Sequence, residues 1–179
     1  MSGPPGTTAL AGRLERRTVG AAYGGLLGLA VLCVAGVVGL ALHQPWLFPS
    51  LGPTVMIFFE SPASPAARPH AALVGHGVGL VVGYLCLVVF GLTSAPSVVQ
   101  GGLTVPHVLA GALSVALTTV VLTLLKLQHP PAGATTLIVS LGILHQPLQL
   151  LAMAGAIVLI TVLGVALNRL LLGRPRPAA

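Results

Sequence analysis

Pro49-Ser50-Leu51-Gly52-Pro53-Thr54 and, 81 positions later, Pro130-Pro131-Ala132-Gly133-Ala134-Thr135 share the pattern Pro-x-x-Gly-x-Thr. Each copy follows a long apolar run and opens a short apolar segment, after which another long run begins. Both copies therefore put helix-breaking residues where the chain should be crossing a bilayer. Irregular backbone at that depth persists only where it is buried in protein or lines a wet cavity. The pair predicts an internal duplication and marks the functional centre.

The surrounding composition supports a membrane setting. The chain has 179 residues, 55% hydrophobic and 6% charged, whereas a soluble domain carries about 25% charged residues. Such a chain cannot cover a water-exposed surface, so an integral membrane protein is expected, in contact with membrane lipid. The net charge of +6 is no nucleic-acid signature, because no basic stripe is interleaved with aromatics. Instead Arg13, Arg16 and Arg17 precede the first apolar run, and Arg169, Arg174 and Arg176 end or follow the last. By the positive-inside rule both termini are expected in the cytoplasm, which requires an even number of crossings; a bacterial inner membrane is the expected location. Cys33 and Cys86 lie singly inside apolar runs and read as small packing residues.

Four runs are long enough to span a ~30 Å hydrocarbon core as helices: 19–42, 71–92, 105–125 and 148–167. Two shorter segments, 51–59 and 132–144, are not. Each is preceded by an extended, proline-containing stretch. About five extended residues plus ten helical ones reach about 30 Å, so each unit can be a broken crossing. The alternative is a re-entrant hairpin. With six crossings Arg68 and Lys126 fall on the cytoplasmic side, and with four they fall outside, so the positive-inside rule favours six. The expected fold is all-α and polytopic, with two repeats of long helix, broken short helix and long helix. Three crossings per repeat make the repeats inverted, a transporter architecture. The expected organisation is a tail (1–18), one membrane domain (repeats 19–92 and 101–172) and a tail (173–179). At the offset of 81, Leu32 aligns with Leu113, Ala35 with Ala116, Ile57 with Ile138, Val81 with Val162 and Gly83 with Gly164. Gly20, Gly24 and Gly28, and Gly75, Gly79 and Gly83, form stripes that let backbones approach closely, within the chain or in a homo-oligomer.

The second half-helix starts with backbone N–H groups that lack intrahelical partners, and Gly133 keeps bulk away from them. Such an end attracts an anion. Gly52 and Thr54 offer the same in the first copy, although Pro53 removes one donor. Candidate substrate-binding residues are therefore Gly52, Thr54, His129, Pro130, Pro131, Gly133, Thr135 and Thr136, with Ser140 adding a hydroxyl. His76 and His107, inside apolar runs, are candidate gates. Glu60, where the first half-helix ends, is a candidate proton-coupling group or partner of Arg68, or an ordinary interfacial residue. No two histidines have i, i+4 spacing, so neither a metal nor another cofactor is expected. Catalysis is not expected either, since acid–base chemistry recruits carboxylates and only Glu60 is placed to help.

The ordered set His129-Pro130-Pro131-Ala132-Gly133-Ala134-Thr135, with Ser64-Pro65-Ala66-Ala67-Arg68-Pro69 leading to Gly75-His76, and the Leu51-Gly52 step, resembles the HPP family of integral membrane proteins. The resemblance covers roughly residues 19–170. It implies four membrane spans as usually described, a transporter, and for some members nitrite as substrate. The chain departs from the family in carrying His70, where a basic residue commonly follows the proline matched by Pro69. The functional expectation is transport of a small monovalent anion, nitrite first. The competing expectation is a non-transporting scaffold or sensor subunit, in which the polar motif only fixes helix geometry.

Overall fold

The computed structural model describes residues 5–172, and side chains from residue 18 to residue 171. Seven α-helices follow in order: α1 (Pro5–Leu42), α2 (Leu51–Glu60), α3 (Pro69–Val89), the single turn α4 (Val98–Gly101), α5 (Val105–Leu124), α6 (Pro131–Ser140) and α7 (Pro147–Leu172). Four of them contain apolar stretches long enough to cross a membrane: 18–42, 69–89, 105–124 and 147–171. The polytopic all-helical architecture is thus as expected, with two ten-residue helices, α2 and α6, at the two repeated motifs. One difference is at the N-terminus. Residues 5–18, expected as a tail, continue α1. Arg174 and Arg176 lie outside the described residues.

Helix ends account for the other differences. Gly91 and Gly142 have φ of 68° and 72°. The N–H groups of Leu92 and Ile143 reach back to the carbonyls of Leu87 and Ile138. These left-handed caps stop α3 and α6 earlier than the apolar runs suggest. His43 and Lys126 end α1 and α5 with the same geometry at φ 52° and 54°. These two stops are 83 residues apart, not 81. The segment before α2 is two residues longer than the one before α6, so the constant offset expected for the first long helices does not hold.

Contacts fix the direction of each helix. A Cβ on Gly24, Gly28, Gly36 or Gly39 would meet Glu60, Val55, Leu47 or Trp46 respectively. As α1 advances the partner number falls, so 46–60 runs antiparallel to α1. Gly155 faces Trp46, and Gly164 and Asn168 meet Phe58, so α7 runs in the same sense as α2. Gly75, Gly79 and Gly83 meet His129, Ala132 and Thr136 in that order, so α3 and α6 are parallel. Ser114 touches Ser140. Only six residues link α5 to α6, which leaves room for an antiparallel pair alone. Finally, residues 61–68 carry the end of α2 directly to the start of α3. The senses are therefore α1 and α3 one way, α5 and α7 the other, with α2 and α6 each opposed to its flanking long helices.

The glycine stripes follow from this packing. Added Cβ atoms on Gly79 and Gly83 would come within 2.7 Å of the carbonyl oxygens of Ala132 and Thr136. Only hydrogen at those positions lets α6 lie this close to α3. On α1, Gly24 and Gly28 face α2, while Gly20 meets nothing within 4 Å. The main apolar core gathers Val31, Ala35, Phe48, Leu51, Val55, Phe58, Phe59, Met153, Ala156, Ile157 and Ile160 between α1, α2 and α7. Outward-facing Leu and Val side chains on the long helices present the surface that lipid requires.

Candidate functional site

Proline at 131 suits a first helical turn, because its missing N–H would have had no partner there. It starts α6 at depth, and the residue before Pro130 is His129. On the other side of the bundle Pro49-Ser50 turns the extended segment into α2, and Thr54 lies in its first turn. Both half-helices begin beside the same residue of α3, His76. Thr54, His76 and Thr135 are 0% exposed and His129 is 2% exposed.

His76 Nε2 lies 2.8 Å from Thr54 Oγ1, and His76 Nδ1 lies 2.7 Å from Thr135 Oγ1. The two imidazoles meet edge-on, with Nε2 to Nε2 at 3.1 Å and ring centroids 4.8 Å apart. His129 Nδ1 is 3.0 Å from the Ala66 carbonyl oxygen. A carbonyl only accepts, so Nδ1 of His129 carries a proton, and in a neutral ring Nε2 is bare. His76 Nε2–H then donates, to Thr54 Oγ1 and to His129 Nε2. Thr54 spends its own proton on the Ser50 carbonyl at 3.0 Å, and Thr135 donates to His76 Nδ1. One set of protons satisfies these contacts with both rings neutral, and it leaves the 3.4 Å approach of Thr54 Oγ1 to His129 Nε2 without a proton between them.

The site thus unites Thr54, His76, His129 and Thr135. The remaining sequence candidates lie around it. Gly52 and Gly133 are half-buried, and an added Cβ on either meets nothing within 4 Å. Pro131 is buried and Pro130 exposed. The N–H groups of Ala132 and Gly133, expected to be open to a ligand, are bonded to the carbonyls of His129 and Pro130 at 3.0 Å each. The turn that starts α6 consumes them. Ser140 touches Ser114 of α5, and the backbone of Thr136 packs against Gly79 and Gly83 of α3. His107 is buried near the start of α5, with Nδ1 2.7 Å from Thr104 Oγ1, and is not part of the His76 cluster. Glu60 is exposed at the end of α2, nearly two turns beyond Thr54, and no ion pair with Arg68 forms.

Two contributors escape a sequence reading. The Ala66 carbonyl is one, since nothing in a side-chain pattern marks a backbone acceptor. The other is the pair Ser114 and Thr118, buried on α5 together with His107, which the sequence did single out. Their spacing of seven and then four residues places all three on one helical face, and that periodicity was the available signal. No third His, Cys, Asp or Glu joins the histidine pair among the described residues.

The comparisons agree with this architecture. The family model described as HPP, transmembrane region, matches residues 12–177. A transmembrane protein of Dictyostelium discoideum is 30% identical over 123 residues, which is 69% of this chain and 39% of that protein. A second Dictyostelium discoideum transmembrane protein is 34% identical over 93 residues, 52% of this chain and 27% of its own length. The chain spans well under half of each of these relatives. No solved structure matches. The chain is an integral membrane protein of the HPP transmembrane family.

Proposed function

We propose that this protein transports a small monovalent anion across the membrane and that the His76–His129 centre is its binding site. One observation carries the reading: α2 and α6 run in opposite senses, and each directs its N-terminal end at His76 through Thr54 or Thr135. Helix N-termini carry partial positive charge, so two of them facing one point favour an anion there. Both rings are neutral in the bonded network, and among the described residues no carboxylate lies beside them. A bound anion would therefore be held by hydroxyls and imidazole N–H groups, with room for one added proton to balance its charge. Nitrite is the first substrate to test, by the HPP resemblance.

The alternating helix senses support two inverted repeats, α1–α3 and α5–α7, as in transporters that alternate access around a central site. Equivalent packing supports the same view: Gly83 meets Val139, and Gly164 meets Phe58, each partner displaced by the same 81 residues. Because α1 and α3 run the same way, the reading takes residues 43–60 as a return across the membrane, for six crossings in all. Arg68 at the start of α3, Lys126 after α5 and Arg169 at the end of α7 then share one end of the bundle with the start of α1. The opposite loops, 43–47, 90–104 and 141–146, contain no Lys, Arg, Asp or Glu. The charged end is cytoplasmic on this reading.

Uptake of nitrite by proteoliposomes containing the purified protein is the direct test. Uptake above that of empty liposomes is expected. No flux of nitrite, nitrate or a similar ion under any imposed gradient would refute transport and favour a scaffold.

A further inference from the structure

We infer that the seam between α5 and α6 is a hydroxyl-lined access path, taking water and a small hydrophilic anion from the uncharged end of the bundle to His76. This rests on the reading of the histidine centre as a binding site, but its physical content, water access, is separate. Ser114 Oγ lies 3.0 Å from Ser140 Oγ. The helices are antiparallel, so helix spacing puts Thr118 and Thr136 one turn beyond this pair, Thr136 lying where α6 turns from α5 toward α3. Their hydroxyls are buried and have no hydrogen-bond partner in the protein, and the same holds for His107 Nε2. Three such groups on α5 and the adjoining turn of α6 call for an explanation, since buried polar atoms are nearly always bonded to protein or water. Water or a polar solute in the seam would satisfy all three. The line is continuous with the centre, because Thr135, next to Thr136, bonds His76. At its far end His107 is the third residue of α5.

The first half of the chain supplies an internal control. With the offset of 83 set by the stops at His43 and Lys126, Ser114 and Thr118 correspond to Val31 and Ala35. With the offset of 81 that holds for the half-helices, Thr136 and Ser140 correspond to Val55 and Phe59. All four counterparts belong to the main apolar core, and His107 corresponds to Gly24. Four hydroxyls on one seam thus stand where four hydrocarbon side chains seal the other. The α1–α2 seam is hydrocarbon where the α5–α6 seam is hydroxyl-lined, although Trp46 Nε1 and Ser50 Oγ, at the entry to α2, are also buried without a partner; the contrast therefore rests on the seam-lining side chains.

Thiol accessibility tests this without reference to flux. In protein with Cys33 and Cys86 replaced by alanine, Ser114→Cys, Thr118→Cys and Thr136→Cys are made singly in sealed vesicles. Each is treated with a charged, membrane-impermeant methanethiosulfonate. Gln100→Cys on the exposed turn α4 shows that reagent reaches that face. Ala35→Cys and Val55→Cys report the dry seam, and Thr119→Cys, on the exposed face of α5, reports lipid. The expected result is labelling of positions 114, 118 and 136 at least ten-fold faster than 35, 55 and 119, from the side on which position 100 reacts. Ser114→Cys is nearly isosteric and keeps the test valid if a threonine variant fails to assemble. Labelling of position 100 with none at 114, 118 or 136, or equal labelling of both seams, overturns the path. Labelling without flux of nitrite, nitrate or a similar ion under any gradient would leave the path standing and refute the transport reading.

Discussion

Thr54 and Thr135, 81 residues apart and equivalent in the two copies of the motif, hold the two ring nitrogens of the same imidazole, His76, at 2.8 and 2.7 Å. The histidine is therefore a shared strut between α2 and α6, and each threonine matters through the other's partner. Thr54→Val and Thr135→Val each keep the shape and remove one hydroxyl. Each is expected to cost about 1–3 kcal/mol, because a buried ring nitrogen loses a partner, the only one for Nδ1 and one of two for Nε2. Once one bond is gone the ring is free to reorient, so the double variant should cost measurably less than the sum. Thermal unfolding in detergent of the four proteins checks this, and strict additivity would show that His76 does not couple the two half-helices.

The close approach of α3 to α6 gives a second prediction. Gly79→Ala and Gly83→Ala push a methyl group to 2.7 Å from backbone oxygens that cannot move without shifting all of α6. Overpacking of this kind costs about 1–3 kcal/mol. Gly52→Ala and Gly133→Ala meet open space and, lying in helices, should change stability by no more than about 1 kcal/mol, in the direction of gain. Unfolding midpoints should therefore separate the four variants into two pairs. A motif glycine as sensitive as a stripe glycine would contradict this packing.

Much of this was legible in the sequence, and for identifiable reasons. Four charge-free runs and two short ones gave the helices, because lipid leaves few alternatives to a hydrogen-bonded helix. The repeated proline and glycine positions located the half-helices. What periodicity could not give was partnership. The N–H groups of Ala132 and Gly133 look open in a sequence, yet the backbone turn at His129-Pro130 occupies them. His76 looks like one histidine in a glycine-rich run. Only the antiparallel return of the chain places it between Thr54 and Thr135. The constant offset of 81 failed in α1 and α5, because two extra residues in a linking segment leave no mark on helix periodicity.

Topology provides a third prediction. Arg68 and Gln100 are both exposed, at opposite ends of α3 and its following loop. In inside-out vesicles a membrane-impermeant thiol reagent should label Arg68→Cys and not Gln100→Cys, and right-side-out vesicles should reverse the pattern. Labelling of position 68 only from outside the cell would reverse the assignment of the charged end as cytoplasmic.

His129 supplies the final prediction, since Phe48 occupies the corresponding place in the first copy and is packed there in the apolar core. His129→Phe is thus a substitution this fold already accommodates at one of its two equivalent positions. It removes the 3.1 Å contact to His76 and the bond to the Ala66 carbonyl, leaving that carbonyl and the donor of His76 less satisfied. A loss of about 1–3 kcal/mol in stability is expected from the lost polar contacts, with the variant still assembled. Nitrite uptake, by contrast, should fall to the level of empty liposomes, because Thr54 and Thr135 remain but only one imidazole is left to face the anion. Glu60→Gln, at the exposed end of α2, should retain at least half of the wild-type rate. Full uptake by His129→Phe, or loss of uptake in Glu60→Gln with unchanged stability, would move the working site away from the histidine pair and toward the cytoplasmic end of α2.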